Sequence, residues 1–321
     1  MRYEVPIAED LVDELIPFWT SIFGDVLPDM EREVFLGAEE AYSRSTLYLK
    51  RDGERVAGTC FIMHSRTMPA LAGFGEVATD PIYRGRGIAT ELCSQAVEEF
   101  RAAGGEAFFL GTVNPAAVRV YHRLGWRKLA GANVMANITS GMSPEEFLVD
   151  FFRKPGDVTV GIAGPDVRVP MIPLILTSHD SQVLDANAGV YSCRYCIQNS
   201  CMGLYPRYVR GVAEKQGAFF SAQTEDGRVV GLSTALLDDA GGCQVDGFLH
   251  HNFSPAWHDL LVAACEWATA RETLALRATI SVEDEEKQAL FKSMGFSENG
   301  AGEDFNIEGR AVSSLTMKSS A

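Results

Sequence analysis

Positive charge is scarce in this 321-residue chain: 28 Lys and Arg stand against 43 Asp and Glu, a formal net charge of −15. A protein that grips a nucleic-acid backbone needs a basic footprint, so that class is disfavoured and no nucleic-acid partner is expected. No apolar run approaches the ~18 residues of a membrane span, so no membrane partner is expected either. The opening stretch, "MRYEVPIAEDLVDEL", carries early acids and no apolar core, which does not read as a secretory signal. Cysteine is sparse: seven residues, an odd number without regular spacing, as suits a reducing compartment. A cytoplasmic location is therefore expected. Cys193, Cys196 and Cys201 lie close in sequence, but a structural zinc site needs four ligands and the second pair is missing. We expect these cysteines to pack as small buried hydrophobes, in a helical pattern with Val183, Leu184 and Val190.

What the chain does have is repetition. Hydrophobic residues make up 46%, ordinary for a globular protein and enough at this length for two cores. "LYLKRDGERVAGTCF" (47–61) alternates around Asp52-Gly53, a hairpin signal, and "FFSAQTEDGRVVGLSTA" (219–235) does the same around Asp226-Gly227. "RVYHRLGW" (119–126) finds its echo in "ALFKSMGF" (289–296). The echoes are colinear, so the halves read as tandem copies of one fold. Each copy reads as an opening strand, one or two helices (11–23 and 31–43; 181–196 and 205–215) and a hairpin. A strand (73–80; 243–250), a long helix (88–103; 256–271), a strand (106–112; 274–281), a shorter helix (115–124; 284–294) and a strand tail follow. Ile88, Leu92, Ala96 and Phe100 form one apolar stripe on the first long helix. Between the copies, Ser143-Pro144 with Glu146 marks a helix start, and Phe147, Leu148, Phe151 and Phe152 give that connector a face to dock. The expected fold class is α/β (α+β): two mixed, mostly antiparallel sheets flanked by helices. The expected division is 1–140, a connector 141–169, and 170–321.

The strongest chemistry lies in "TDPIYRGRGIATEL" (79–92). Arg84-Gly85-Arg86-Gly87-Ile88-Ala89 leads from a strand into the long helix. Glycines let backbone amides converge, and the helix start adds unpaired donors and a positive dipole end. That suits a diphosphate. Thr90 stands where a dinucleotide fingerprint wants a third Gly, and no Gly-Lys-Ser/Thr is present for a P-loop. The stretch instead resembles the GCN5-related N-acetyltransferase (GNAT) family, whose phosphate loop reads Gln/Arg-x-x-Gly-x-Gly/Ala: here Arg84, Gly87 and Ala89. Asn114, Ala117, Tyr121, Gly125 and Trp126 match that family's later segment. The resemblance covers about 45–130.

The resemblance implies a strand splayed from its parallel neighbour, with the pantetheine arm of acetyl-CoA or another acyl-CoA in the gap. It implies backbone contacts from Val77, Ala78 and Thr79. The loop, from Arg84 and Gly85 through Arg86, Gly87, Ile88, Ala89 and Thr90, would hold the diphosphate. Tyr121 would be the general acid, with Asn114 and Ala117 against the arm. A substrate amine attacks the thioester directly, largely by proximity. Glu76 is the candidate base; His64 is a weaker one, and His122 is expected on the surface. Glu39 and Glu40 could recognise a cation but read more simply as a solvated face. No metal is expected, and His250, His251 and His258 are not read as a cluster.

The second copy drops this chemistry. "FLHHNFSPAWHDLL" (248–261) replaces the phosphate loop, with Pro255 and Trp257 at its mouth. Asp284 stands for Asn114, Lys287 for Ala117 and Phe291 for Tyr121. The expected function is acyl-CoA-dependent N-acyl transfer to a small, possibly cationic amine, in the first half. A non-catalytic acyl-CoA sensor and transfer to a non-amine acceptor are the alternatives.

Overall fold

The structure, a computed structural model, describes residues 1–24 and 31–319. The first half runs β1 (Arg2–Glu4), α1 (Glu9–Phe23), α2 (Arg32–Phe35), β2 (Ser43–Asp52), β3 (Arg55–Ser65) and β4 (Leu71–Thr79). It continues through α3 (Ile88–Ala102), β5 (Ala107–Gly111), α4 (Pro115–Arg123), β6 (Arg127–Lys128) and β7 (Val134–Ile138). Its seven-stranded sheet has the order β1-β2-β3-β4-β5-β7-β6, and only β4 and β5 run parallel.

After α5 (Pro144–Arg153), β8 (Val158–Ile162), α6 (Met171–Leu176), β9 (Val183–Asp185), β10 (Val190–Tyr191) and α7 (Leu204–Gly211), the plan repeats. β11 (Gly217–Thr224), β12 (Val229–Leu237), β13 (Cys243–Leu249), α8 (Trp257–Thr269), β14 (Leu276–Ser281) and α9 (Glu285–Ser293) follow. β15 (Ser297–Ala301), the small β16 (Phe305–Ile307) and β17 (Arg310–Val312) hairpin, and β18 (Ser314–Ser319) close the chain. The second sheet, read from the opposite edge, has the same order: β8-β11-β12-β13-β14-β18-β15. β8 lies within the stretch expected as connector, yet it is the outer strand of this sheet, antiparallel to β11.

Two expected helices are not formed as read. Residues 181–196 hold the short antiparallel pair β9 and β10, because Gly189 turns with φ +62° and outside side chains take the backbone groups of β9. Cys193 and Cys201 are buried nonetheless, and Cys196 is half-buried. The helix expected over 31–43 stops at Phe35; Gly37, at φ +99°, ends it.

One apolar cluster spans both halves, from Val12, Leu15 and Phe35 to Leu232, Phe248 and Leu261. α5 bridges them. Ser143 and Glu146 form a reciprocal capping box at its start. Glu145 accepts the Ala130 amide of the first half, while Phe152 stacks on His250 of the second at 4.2 Å. Arg228 donates to the carbonyls of Phe151 and Lys154, holding the end of the helix. A second tie is buried: Arg168 donates to both carboxylate oxygens of Glu39 at 2.8 and 2.5 Å and lies over the Tyr205 ring. Glu39 therefore meets a cation of its own chain, not solvent as its simpler reading had it.

Candidate active site

β4 and β5 part early. Leu71, Ala72 and Gly73 pair with Ala107, Phe108 and Phe109, and no pairing continues beyond them. Residues 74–79 of β4 lie beside β3 on one edge and, among the described residues, have no strand partner on the other. An open edge of this kind accepts an extended polar chain. Glu76 adopts φ +47°, a left-handed conformation unusual for a residue with a side chain, where the β3–β4 register slips. A relay supports this bulge: Trp19 Nε1 donates to Thr59 Oγ1 at 2.9 Å, and Thr59 Oγ1 donates to the Glu76 carbonyl at 2.6 Å. Phe74 and Val77 both join the cluster beneath α3. The bulge pair between them, Gly75 and Glu76, is thereby turned to the opposite side.

At the end of β4, Asp80 accepts the Ile82 amide and pairs with Arg55, which sets the turn into the loop. Gly85 and Gly87 have φ +77° and +80°, and a Cβ on either would meet nothing within 4 Å. They are required by backbone conformation and leave the cradle unobstructed. Gly87 is the N-cap of α3 and no side chain caps that end, so the first-turn amides of Ile88, Ala89 and Thr90 face the loop. Arg84 and Arg86 are exposed; Arg84 donates to the Thr79 carbonyl and Arg86 lies over the Tyr83 ring. These residues fit a diphosphate: open main-chain donors, a helix dipole and two nearby cations.

Asn114 caps α4 by accepting the Ala116 amide, and Ala117 packs against the cluster that holds Tyr121. Tyr121 is 5% exposed. Burial, and then the thiols of Cys93 and Cys60, push its phenol well above the ordinary value. The group is thus held as a neutral hydroxyl, a form able to donate a hydrogen bond. The two cysteines were not singled out by sequence; their spacing in the chain carries no signal, and only folding brings β3, α3 and α4 together.

His64 faces Phe100 on β3, opposite Ala72 and so beyond the bulge, with burial lowering its pKa to about 4. His122 and Glu40 are exposed. Among the described residues, no group of three or more His, Cys, Asp and Glu is arranged to hold a metal ion, and no helix is long and apolar enough to cross a membrane.

The second copy has the same parting of strands and fills it with its own chain. β13 and β14 pair only at Cys243–Gln244 with Leu276–Arg277. Asp284 accepts the amides of Gln182 and Val183. Lys287 donates to the carbonyls of Val183 and Leu184 and pairs with Asp246 at 2.8 Å. Asp246 also accepts the Ala186 amide. The three residues that depart most from the first copy's pattern are thereby explained. Asp284 and Lys287 hold a peptide of their own chain, whereas Asn114 caps α4 and Ala117 packs on the core, and Phe291 is fully buried core.

Residues 8–126 match the model described as the acetyltransferase (GNAT) family. No curated protein matches the chain. Solved structures with a similar fold include an acetyltransferase of the GNAT family from Streptococcus pneumoniae, with 16% identity, 51% of this chain and 100% of that chain covered, and TM-score 0.39. Ribosomal-protein-S5-alanine acetyltransferase from Vibrio fischeri has 10% identity, coverage of 52% and 94%, and TM-score 0.41. Spermidine N-acetyltransferase from Vibrio cholerae has 16% identity, coverage of 51% and 93%, and TM-score 0.39. From the family match, residues 8–126 of this protein are a GNAT-family N-acetyltransferase domain.

Proposed function

We propose that the protein transfers an acyl group, acetyl by default, from acyl-CoA to a small-molecule amine, and that the first half alone performs the chemistry. The observation that carries this reading is the combination of three features: the open cradle at Gly85 and Gly87, the edge of β4 beyond its pairing with β5, and the Tyr121 phenol of α4 in the cluster beneath α3. The diphosphate sits on the amides of Ile88, Ala89 and Thr90, beside Arg84 and Arg86. The pantetheine arm lies along Val77, Ala78 and Thr79, against Asn114 and Ala117. The amine nitrogen attacks the thioester carbonyl and the sulfur leaves as thiolate.

Tyr121 stabilises that thiolate by hydrogen bonding. A phenol at its ordinary pKa of ~10 already gives up its proton to a thiolate of ~8.5 at a cost of ~2 kcal/mol. Burial raises the Tyr121 pKa further, so donation without full transfer is the favoured role. Glu76 is the candidate to receive the amine proton, directly or through water. His64, held neutral and packed on Phe100, is the poorer choice.

The test is thiol release with several acyl-CoAs and a panel of small amines. Tyr121→Phe should lower kcat by roughly 10²-fold while leaving acyl-CoA affinity within about twofold. Unchanged turnover removes Tyr121 from the mechanism. Acyl-CoA binding by the wild-type chain without thiol release from any amine would favour a sensor instead.

A further inference from the structure

We propose that the acceptor amine is bound at the joint between the two repeats, and that Asn199 and Ser200 of the second half set which amine is accepted. This rests on the acyl-transfer reading. α3, α4 and Tyr121 cover one face of the first sheet, so the thioester in the gap is reached from the opposite face. There the wall is not built by the first half alone. The segment 198–202 lies directly on the sheet where β4 and β5 separate. A Cβ on Gly73 would overlap Met202 Sδ, and one on Gly111 would stand 3.0 Å from both the Asn199 carbonyl oxygen and Ser200 Cα. The two glycines make room for a foreign segment to lie flush on the sheet.

That segment is fastened. Asn133 donates its amide to the Gln198 carbonyl at 2.7 Å, and the Gln198 amide donates back to Gly131. The Asn133 side chain donates to Asn199 Oδ1 at 2.7 Å and accepts from Lys128. Met202 and Cys201 anchor it in the shared core, while Asn199 is exposed and Ser200 and Gly111 line the accessible rim. Nearby, the buried Arg168–Glu39 pair locks the halves together, so the wall is preformed. The bulge turns Glu76 toward this same side. The joint thus brings an acid of one repeat to the side where Asn199 and Ser200 of the other line the rim, their oxygens already accepting from Asn133 and the Gly203 amide and so fixed in position. That set suits a small polar primary amine, whose N–H donors find acceptors on both walls. A wall clamped over Gly111 disfavours the chain end of a folded protein.

The experiment measures steady-state thiol release from acetyl-CoA with spermidine, tyramine and an alanine-ended tripeptide as probes, for wild type, Asn199→Ala and Ser200→Trp. Acetyl-CoA affinity is measured separately by calorimetry. Both variants should raise the amine KM by about tenfold or reorder the three probes, with acetyl-CoA affinity within twofold. Asn199→Ala removes an exposed side chain and its hydrogen bond from Asn133 but leaves the two backbone ties at Gln198, so it carries the test should Ser200→Trp fail to fold. Unaltered KM and ranking in a folded variant that still turns over would overturn the joint as acceptor site and leave the transferase reading standing. Wild type that binds acetyl-CoA and releases no thiol with any probe would overturn both.

Discussion

Asp185 shows how much one buried atom can decide. Its Oδ1 accepts the Ala188 amide and the Thr234 hydroxyl, while Oδ2 is buried without a partner. Burial, and then the neighbouring Asp246, raise its pKa to about 7. A carboxyl whose folded value is raised contributes stability at low pH, and loses it as pH climbs from its unfolded value near 4 to about 7. His179 and His250 act in the opposite sense. Burial holds them neutral, at about 4 and about 3, so their contribution is full above ~6.5 and falls away in acid. Asp185→Asn keeps the acceptor at Oδ1 and removes the titration. We expect it to raise the melting temperature at pH 7.5 and to cancel the gain that the wild type shows between pH 7.5 and 6. Equal pH profiles for the two proteins in thermal melts would refute this assignment.

At the scale of the element, the loop that starts α3 and its counterpart before α8 show one backbone plan put to two uses. The first reaches its helix through two left-handed glycines and leaves the end uncapped. The second enters through a 3-10 turn, residues 251–256, in which His250 accepts the Asn252 amide and Asn252 donates to the Phe152 carbonyl. One cradle is unobstructed at its two glycines and the other is tied to α5. Gly87→Glu should abolish acyl-CoA binding, by placing a side chain at φ +80° and a carboxylate in a site for anions. Gly87→Ala meets no atom within 4 Å and carries only the conformational cost, roughly 1–2 kcal/mol. Calorimetric titration separates the two; binding retained by Gly87→Glu would place the diphosphate elsewhere.

At the scale of the whole molecule the decisive fact is that, among the described residues, one of two similar gaps is filled by the chain itself and the other is not. Residues 182–186 occupy the second, held by Asp284, Lys287 and Asp246. One acyl-CoA per chain is therefore expected in calorimetry or equilibrium dialysis, and a stoichiometry of two would contradict the filled gap. The buried Lys287–Asp246 pair is costly to break, since removal of one partner leaves a charge out of water. Lys287→Ala should thus lower the melting temperature substantially without creating a second site.

The repeat, the hairpins, α3 with its apolar stripe, the capping box of α5 and the Arg84–Ala89 loop were legible in the sequence. Each rests on local chemistry: turn residues, periodicity, or glycines that permit particular backbone angles. Residues 181–196 misled, because their apolar spacing suited a helix while Asp284 and Lys287, a hundred residues away, bind the same backbone as a short strand paired with β10. The bulge at Glu76, the thiols of Cys60 and Cys93 beside Tyr121, and Asn199 lying against Gly111 could not be read at all. They depend on which distant segments meet. By itself the sequence determined a twofold plan with one intact loop. Only the tertiary structure decided that the second repeat fills its own gap and lays residues 198–202 against Gly73 and Gly111 of the first, because side-chain and backbone partners across a core are set by packing and not by spacing along the chain.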